Sequence, residues 1–523
     1  MQKKLNNWIL PFIFLLIIAV LTFVVRTIRL EELYHFTYDE EVFAFVGKRM
    51  FINHHIPLIG GVTPMHFHVA PYFYWLSAVV LFISKLNPVG WGIAAAVLSV
   101  VTVGVLFFVS RKLFNTKTAA LTVGLYCLSF YQNIYDRHYW GLSFDGLISI
   151  LTIYFLYKMV MGGKNYVFVL ALIIAFGFHT DLSTLNLFLL SLFVIVGMKV
   201  RLAKKQIFFA SALFGITFSP LILFDIRHDF SNSRGIIQYF NEISSSRKGV
   251  INQSAVDSVL FVPRSLVRSL YVFGNTDLAR QYSYCPVHAL GRLQDVPNLF
   301  ALLVTAIIAY FFFIHRRSYT QIQMKLIIAL FALTYMGLSI YGVILKGDLF
   351  DHYLGTLYPI FYLIVSSVLI NFFQKKQIII VLLVTVYTVF NLQLLSKVQN
   401  RFGYSLKQEA VRWVIAETGA EPFSLDVISS CFRYNGYRYL FYLYGKEPAK
   451  SYVDANFTYL YDIPPVEKHP KTLVVITNPD YTETKEYFYE YEKYVRKLVK
   501  KKNFGNIEIL IIDNSNLDFV GKF

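Results

Sequence analysis

Charged residues are scarce in this chain. Asp, Glu, Lys and Arg make up 15% of its 523 residues, where soluble domains carry about 25%. That deficit excludes an ordinary soluble fold. Cysteine is scarcer still. Cys127, Cys285 and Cys431 are odd in number and far apart, which excludes a disulfide framework and any paired zinc spacing. A pairing of Cys285 with Cys431 stays open, should both lie in one compartment. There is no Walker loop, no GxGxxG after a strand, no GxSxG elbow and no HExxH, so no motif for cytosolic nucleotide use is visible. Internal repeats and low-complexity tracts are lacking too. Acidic residues are the minority charge, 32 against 49 basic, for a net +17. The basic residues are scattered between apolar runs and form no stripe, which excludes a nucleic-acid partner. They suit basic cytoplasmic loops and an anionic lipid surface.

What fills the chain is apolar. It is 56% hydrophobic and 17% aromatic, with mean hydropathy +0.51, the composition of a protein embedded in the bilayer. The opening "MQKKLNNWILPFIFLLIIAVLTFVV" is too long for a signal peptide and lacks a small-x-small cleavage site, so it reads as a retained first span. Positive-inside bookkeeping puts Lys3 and Lys4 in the cytoplasm. The run Pro71–Leu86 then lies along the outer leaflet, because a crossing there would put "RKLFNTK" on the wrong face. Further spans fall at about Val89–Val109, 118–133, 142–160, 165–178, 181–198, 206–224, 297–314, 325–345, 353–373 and 377–395. The expected fold is therefore mainly α: a polytopic membrane protein with about 11 transmembrane helices and outer juxtamembrane helices. Residues 1–397 form the membrane part, with outer loops at 31–88 and 225–296. Within the second loop, Ser258–Gly274 has the apolar spacing of a surface-lying helix. Residues 398–523 form a small α/β domain outside the membrane. In it "KQEAVRWVIAETG" reads as a helix ending at a glycine. "KTLVVITNP" and "NIEILIID" read as strands, with the helix "ETKEYFYEYEKYVRKLVKKK" between them in a β–α–β unit.

Three adjacent carboxylates, Asp39, Glu40 and Glu41, stand just after the first span in "TYDEEVFAFVGKRMF". Successive helical residues turn by about 100°, so the three cannot share a face. Asp39 shares its face with Val42, Phe43, Val46 and Met50 and is the acid expected to point inward. Glu41, beside Phe45, Lys48 and Arg49, is expected to be wet. A carboxylate turned inward needs a partner or a task. Thr37 and Glu40 also fit a capping box, which would make the acids structural. Other polar groups gather on the same predicted outer face: Asp136, Arg137 and His138 in "YDRHYW", Asp225, Arg227 and His228 in "FDIRHDF", and Asp351, His352 and Tyr353 in "KGDLFDHYLG". His179 marks the turn between two short apolar runs. Charged groups near membrane depth are costly and point to a site or pathway. His54, His55, His66 and His68 lie in the first outer loop without a known ligand spacing, so no cofactor is implied with certainty and a divalent metal stays open.

The order of these features resembles the GT-C membrane glycosyltransferases that use polyprenyl-phosphate sugars, the glycosyltransferase family 39, protein O-mannosyltransferase-like and lipid A aminoarabinose transferase-like enzymes. The resemblance runs over most of Trp8–Phe373. It is carried by "YDEE", "HVAPYFYWLSAVVLFISKLNPVG", "RKLF", "YDRHYW", "AFGFHTDLSTL", "SPLILFDIRHDF" and "DHYLGTLYPIFYLIV". It implies a transferase that moves a sugar from a polyprenyl-phosphate carrier to a protein, lipid or glycan acceptor at the outer face of the cell membrane, with inversion. The acidic motif falls on Asp39 and Glu40, with Asp39 as general base. The donor phosphate would be held by Arg137 and Arg227, backed by His138, His228, His352 and Tyr353. His66, His68 and His179 are candidate substrate contacts. A departure is "HYWGLSFD", where relatives carry an asparagine-rich stretch. The alternative is a non-enzymatic transporter or flippase of lipid-linked sugars. It calls for a polar route through several spans, and few acids or lysines lie at mid-membrane. A structural or sensory role would leave the outer polar clusters unexplained.

Overall fold

Each of the eleven apolar segments becomes a helix or a helix pair in the computed structural model. The structure describes residues 2–61, 67–244, 254–274, 295–316, 321–345, 347, 349–428, 436–454, 470–477 and 485–515. His66, Cys285 and Cys431 lie outside them. Among the described residues, four helices are long and apolar enough to cross a membrane unaided: Val89–Leu113, Gly141–Val160, Ile322–Val343 and Gln377–Lys397. Lys204–Thr217 and Ser219–Arg227, bent by 58° at their junction, would make a fifth. Pro11–Thr27, Tyr166–Thr180, Leu182–Gly197, Asn298–Ile314 and Tyr358–Phe372 are shorter apolar helices. The outward faces are apolar because lipid, not water, is the solvent there. Ile378, Val381, Leu382, Val386 and Val389 on Gln377–Lys397 are all exposed. Helices suit this setting because each satisfies its own backbone groups.

The segment after the first helix holds the acids. Thr37 is extended, and Glu40 accepts from its backbone N–H at 2.9 Å, which starts helix Tyr38–Phe51 with half of a capping box. Acids fill its first turn, and Lys48 and Arg49 its last, so both ends suit the helix dipole. Helix Tyr72–Ile83 packs against it. Its 12 residues reach about 18 Å, short of the roughly 30 Å hydrocarbon core.

Two expectations are corrected here. The amphipathic helix Ala255–Leu270, expected along a surface, is only half so: every residue from Phe261 to Ser269 is buried, while Val256 and Val259 stay exposed. It packs between Asn298–Ile314 and Ile322–Val343, and its arginines are tolerated because they find acids. Arg264 bonds Asp257 at 2.9 Å, and Arg268 pairs with Asp351. The second correction lies near the chain's end.

There, helix Lys485–Val495 stops early and the lysine-rich stretch Leu498–Phe504 becomes a strand. Gly505, at φ +60°, opens a two-residue turn that folds this strand back on the next. A helix cannot continue through that reversal. Among the described residues the strands are β1 Phe423–Val427, β2 Lys450–Ser451, β3 Thr472–Thr477, β4 Leu498–Phe504 and β5 Ile507–Asp513, in the order β2-β1-β3-β5-β4. β1 runs parallel to β2 and β3, while β5 runs antiparallel to β3 and β4. The helix thus leads from β3 to β4, which run the same way with β5 inserted antiparallel between them: the β–α–β unit is split and closes on β4 rather than on β5, with lysines on the edge strand β4, where charge discourages further pairing. Helix Tyr404–Thr418 ends at Gly419 as expected. One sheet face, with Leu425, Val474 and Ile509, joins the same buried cluster as the membrane helices; the other, with Leu473, Val475 and Leu510, packs under Tyr494.

Candidate active site

Helix Tyr38–Phe51 is buried almost all round from Glu40 to Gly47, so the one-stripe picture of its acids needs revision. Glu40 is fully buried. Besides the Thr37 N–H, its carboxylate accepts from the Thr37 hydroxyl at 2.5 Å and from His138 Nε2. Burial opposes its ionisation, but His138 and Thr37 outweigh that and hold it down at about 2. His138 must therefore carry a proton on Nε2 to donate to it. Glu41 is buried as well, against the expectation that it is wet, because the C-terminal α/β part covers that side. It accepts from the Tyr439 N–H at 2.9 Å. Burial pushes its carboxyl up to about 7, against the pull of that N–H, Lys407 and Arg438. Lys407 is pushed down to about 7 by the same burial, with Glu40 and Glu41 pulling it back up.

Asp39 differs from both neighbours. It is half-buried, and among the described residues its carboxylate makes no hydrogen bond or ion pair. Desolvation first, and the Glu40 charge second, raise it to about 6, with His138 opposing. Against the expectation that Asp39 is the acid turned inward, it is the most exposed of the three, because Glu40 and Glu41 are the ones covered by partners.

From Glu40 a line of rings runs across the site. His138 stacks on Trp140 at 4.4 Å, and Trp140 meets His352 edge-on at 5.1 Å. His352 lies 4.8 Å from the Tyr353 ring. The structure thus joins Glu40, His138, His352 and Tyr353, which come from three distant parts of the sequence. Arg137 is buried beside them and donates to Val25 O at 2.6 Å. Asp136 is taken up structurally by Arg26, whose Nε and Nη2 reach one oxygen at 3.0 and 2.6 Å.

Arg227 and His228 are not brought to this line, because the helix that carries them turns them outward. Both are exposed. The His228 ring stacks on Phe224 at 4.0 Å and donates from Nδ1 to its carbonyl. His68 belongs to that second group, its ring 5.7 Å from Phe224 and its N–H on Asn232 at 2.5 Å. Asp225 is a cap there, accepting from Asn232 N at 2.8 Å. His179 is fully buried and stacked on Tyr72 at 4.1 Å. Neither of its ring nitrogens has a hydrogen-bond partner among the described residues.

Four residues at or next to this line were not singled out from the sequence. Arg26 looked like an ordinary span-end arginine, though its fit to "YDR" was available. Arg268 sits in "RSLVRSL", where two arginines four apart on an apolar helix signal buried acidic partners. Trp140 buries an indole N–H, and Asp145 a carboxylate oxygen, with no hydrogen-bond partner among the described residues. The other Asp145 oxygen accepts from Ser183 at 2.6 Å. Among the described residues, no three His, Cys, Asp or Glu side chains are grouped to hold a metal.

Apolar spans, an acid-bearing helix after the first of them and a small C-terminal sheet give the chain a fold of the GT-C type. Residues 68–224 match the family described as dolichyl-phosphate-mannose-protein mannosyltransferase. ArnT from Cupriavidus metallidurans, in its apo crystal structure, superposes with TM-score 0.50 at 11% identity, covering 97% of this chain and 98% of that one. The apo oligosaccharyltransferase from Archaeoglobus fulgidus superposes with TM-score 0.51 at 11% identity, covering 91% of this chain and 70% of that one. No curated protein matches the chain in sequence.

Proposed function

We propose that the chain transfers a sugar from a polyprenyl-phosphate carrier to a protein, lipid or glycan acceptor on the outer face of the cell membrane. The amino terminus is cytoplasmic in this reading and the C-terminal α/β part extracytoplasmic. Asp39 is the general base. The observation that carries this is the division of labour among three adjacent acids: Glu40 and Glu41 are buried on partners, while Asp39 is half-open with a raised pKa. Asp39 takes the proton from the acceptor hydroxyl or amine as that atom attacks the anomeric carbon. The carbon–oxygen bond to the lipid phosphate breaks from the opposite side, so the configuration inverts and the phosphate leaves with the bonding electron pair. Glu40 fixes His138 rather than acting as a base. Arg137, His138, His352 and Tyr353 are the groups to steady the leaving phosphate, since charge develops there. His228 belongs to the separate Phe224 group and Arg227 is exposed beside it in sequence, so neither is given a part in this step. The family description over residues 68–224 makes mannose the first sugar to try.

The test is purified protein in lipid, supplied with radiolabelled polyprenyl-phosphate mannose, glucose or galactose and a membrane-extract acceptor. Wild type is compared with Asp39→Asn for donor consumption and donor binding. Loss of about 10²–10⁴-fold in turnover with binding kept is the result expected for a missing base. Equal turnover would remove Asp39 from the mechanism. Binding without turnover for every donor would favour a carrier.

A further inference from the structure

The acid-bearing helix is held from two sides, and one of them is the far end of the chain. Lys407, from helix Tyr404–Thr418, is 1% exposed and donates from Nζ to Phe36 O at 2.5 Å. The Tyr439 N–H, in helix Tyr437–Leu443, donates to Glu41 Oε1. These two contacts fall on either side of Thr37–Glu40, and so of Asp39. Further contacts stiffen them. The Tyr439 ring meets Phe45 edge-on at 5.3 Å, and its hydroxyl reaches Leu86 O at 2.8 Å. Gly436, at φ +81°, lets its loop approach so closely that an added Cβ would lie 2.9 Å from Phe36 O and 2.4 Å from the Phe36 ring. Arg438 is buried beside them and anchored outward on Glu447 at 2.9 Å.

We propose that the C-terminal α/β part is a positioning clamp for the acid-bearing helix, with Lys407 and Tyr439 as its jaws on Phe36 and Glu41, so that it sets where Asp39 and Glu40 stand relative to the reacting atoms. The clamp rests on the transferase reading for its catalytic meaning. Glu41 and Lys407 act through Asp39 and touch no substrate. Their burial makes sense on this account. A carboxylate and an ammonium taken out of water are expensive to hold, and here they bracket the two acids that need fixing. Position matters at this scale, since a shift of about 1 Å at a reacting group can cost about 100-fold.

The experiment follows hydrogen–deuterium exchange of residues 38–44 and steady-state turnover together, in the full-length protein in lipid. It compares wild type with Glu41→Ala, Glu41→Gln and Lys407→Met. Glutamine keeps an oxygen for the Tyr439 N–H, so it separates the hydrogen bond from the charge. The expected result for Glu41→Ala and Lys407→Met is faster exchange across 38–44 and a kcat lower by about 10–100-fold. Donor KM should stay within about threefold, and Glu41→Gln should recover most of the loss. Should Glu41→Ala fail to fold, the same two measurements on Glu41→Gln and Lys407→Met decide. Unchanged exchange in an active protein overturns the clamp alone. Faster exchange with kcat unchanged overturns its positioning role. A wild type that consumes no donor overturns the transferase reading, and with it the catalytic meaning of the clamp.

Discussion

Burial raises a carboxyl pKa unless its partners outweigh the lost water, and then the pKa falls. Both cases occur at adjacent positions here. Asp39, raised to about 6, must be ionised to take a proton. The logarithm of kcat/KM should therefore climb with unit slope up to about pH 6 and level off above it. A pH–rate profile with a flat acid limb down to pH 4.5 would contradict this. Glu40 behaves in the opposite way. Its folded-state value of about 2 lies below the ordinary 4.5, so its contribution to stability is complete above pH 4.5 and is lost as the pH falls toward about 2. Thermal melts of wild type and Glu40→Gln should differ most above pH 4.5 and converge as the pH falls. A constant gap would show that Glu40 stabilises by packing rather than by charge.

At the scale of elements, the Arg26–Asp136 pair pins the end of the first helix to the turn that carries Arg137 and His138. Arg26 also donates to Asn133 Oδ1 at 2.9 Å. Removing one partner leaves a buried charge unpaired, at a cost of about 3–5 kcal/mol. Arg26→Met should fall in this range by reversible denaturation in detergent, and Arg26→Met with Asp136→Leu should recover part of it. Element identity was largely legible in the sequence, because a run of some 20 apolar residues has few other fates than a helix. The acidic helix was legible from Thr37, Glu40 and the Val42, Phe43, Val46 spacing. Which acid is covered was not, because Glu41 is buried by Tyr439, 398 positions away. No helical wheel carries that information. Leu498–Phe504 misled for a related reason: a lysine-rich amphipathic stretch has the same residues as a helix surface or an edge strand, and its partner β5 decided between them. His138 and His352 were picked out singly, while Trp140, the ring between them, carries no charge to draw notice.

At the scale of the molecule, the sheet face bearing Leu425, Val474 and Ile509 shares one hydrophobic cluster with the membrane helices. The backbone is joined as well: Tyr404 N reaches Tyr34 O at 3.0 Å, and Asn400 reaches Leu33 O at 3.3 Å. A chain ended after Lys397 would uncover Leu33, Tyr34, Phe36 and Phe45, all at most 2% exposed in the full protein. The truncated protein is expected to lose its cooperative melt and all donor turnover. Size-exclusion chromatography and a thermal melt of residues 1–397 check this. A monodisperse, active fragment would show that the two parts fold independently.

The separation between Glu41 and Tyr439 also sets a clock on biosynthesis. The acid-bearing helix is among the first segments made, and its second jaw comes 398 residues later. At about 5–20 residues per second, roughly 20–80 s pass between them. Throughout that interval the nascent chain holds its acids without the contacts that position them. On the clamp proposal, the nascent protein stays idle until its last quarter is made.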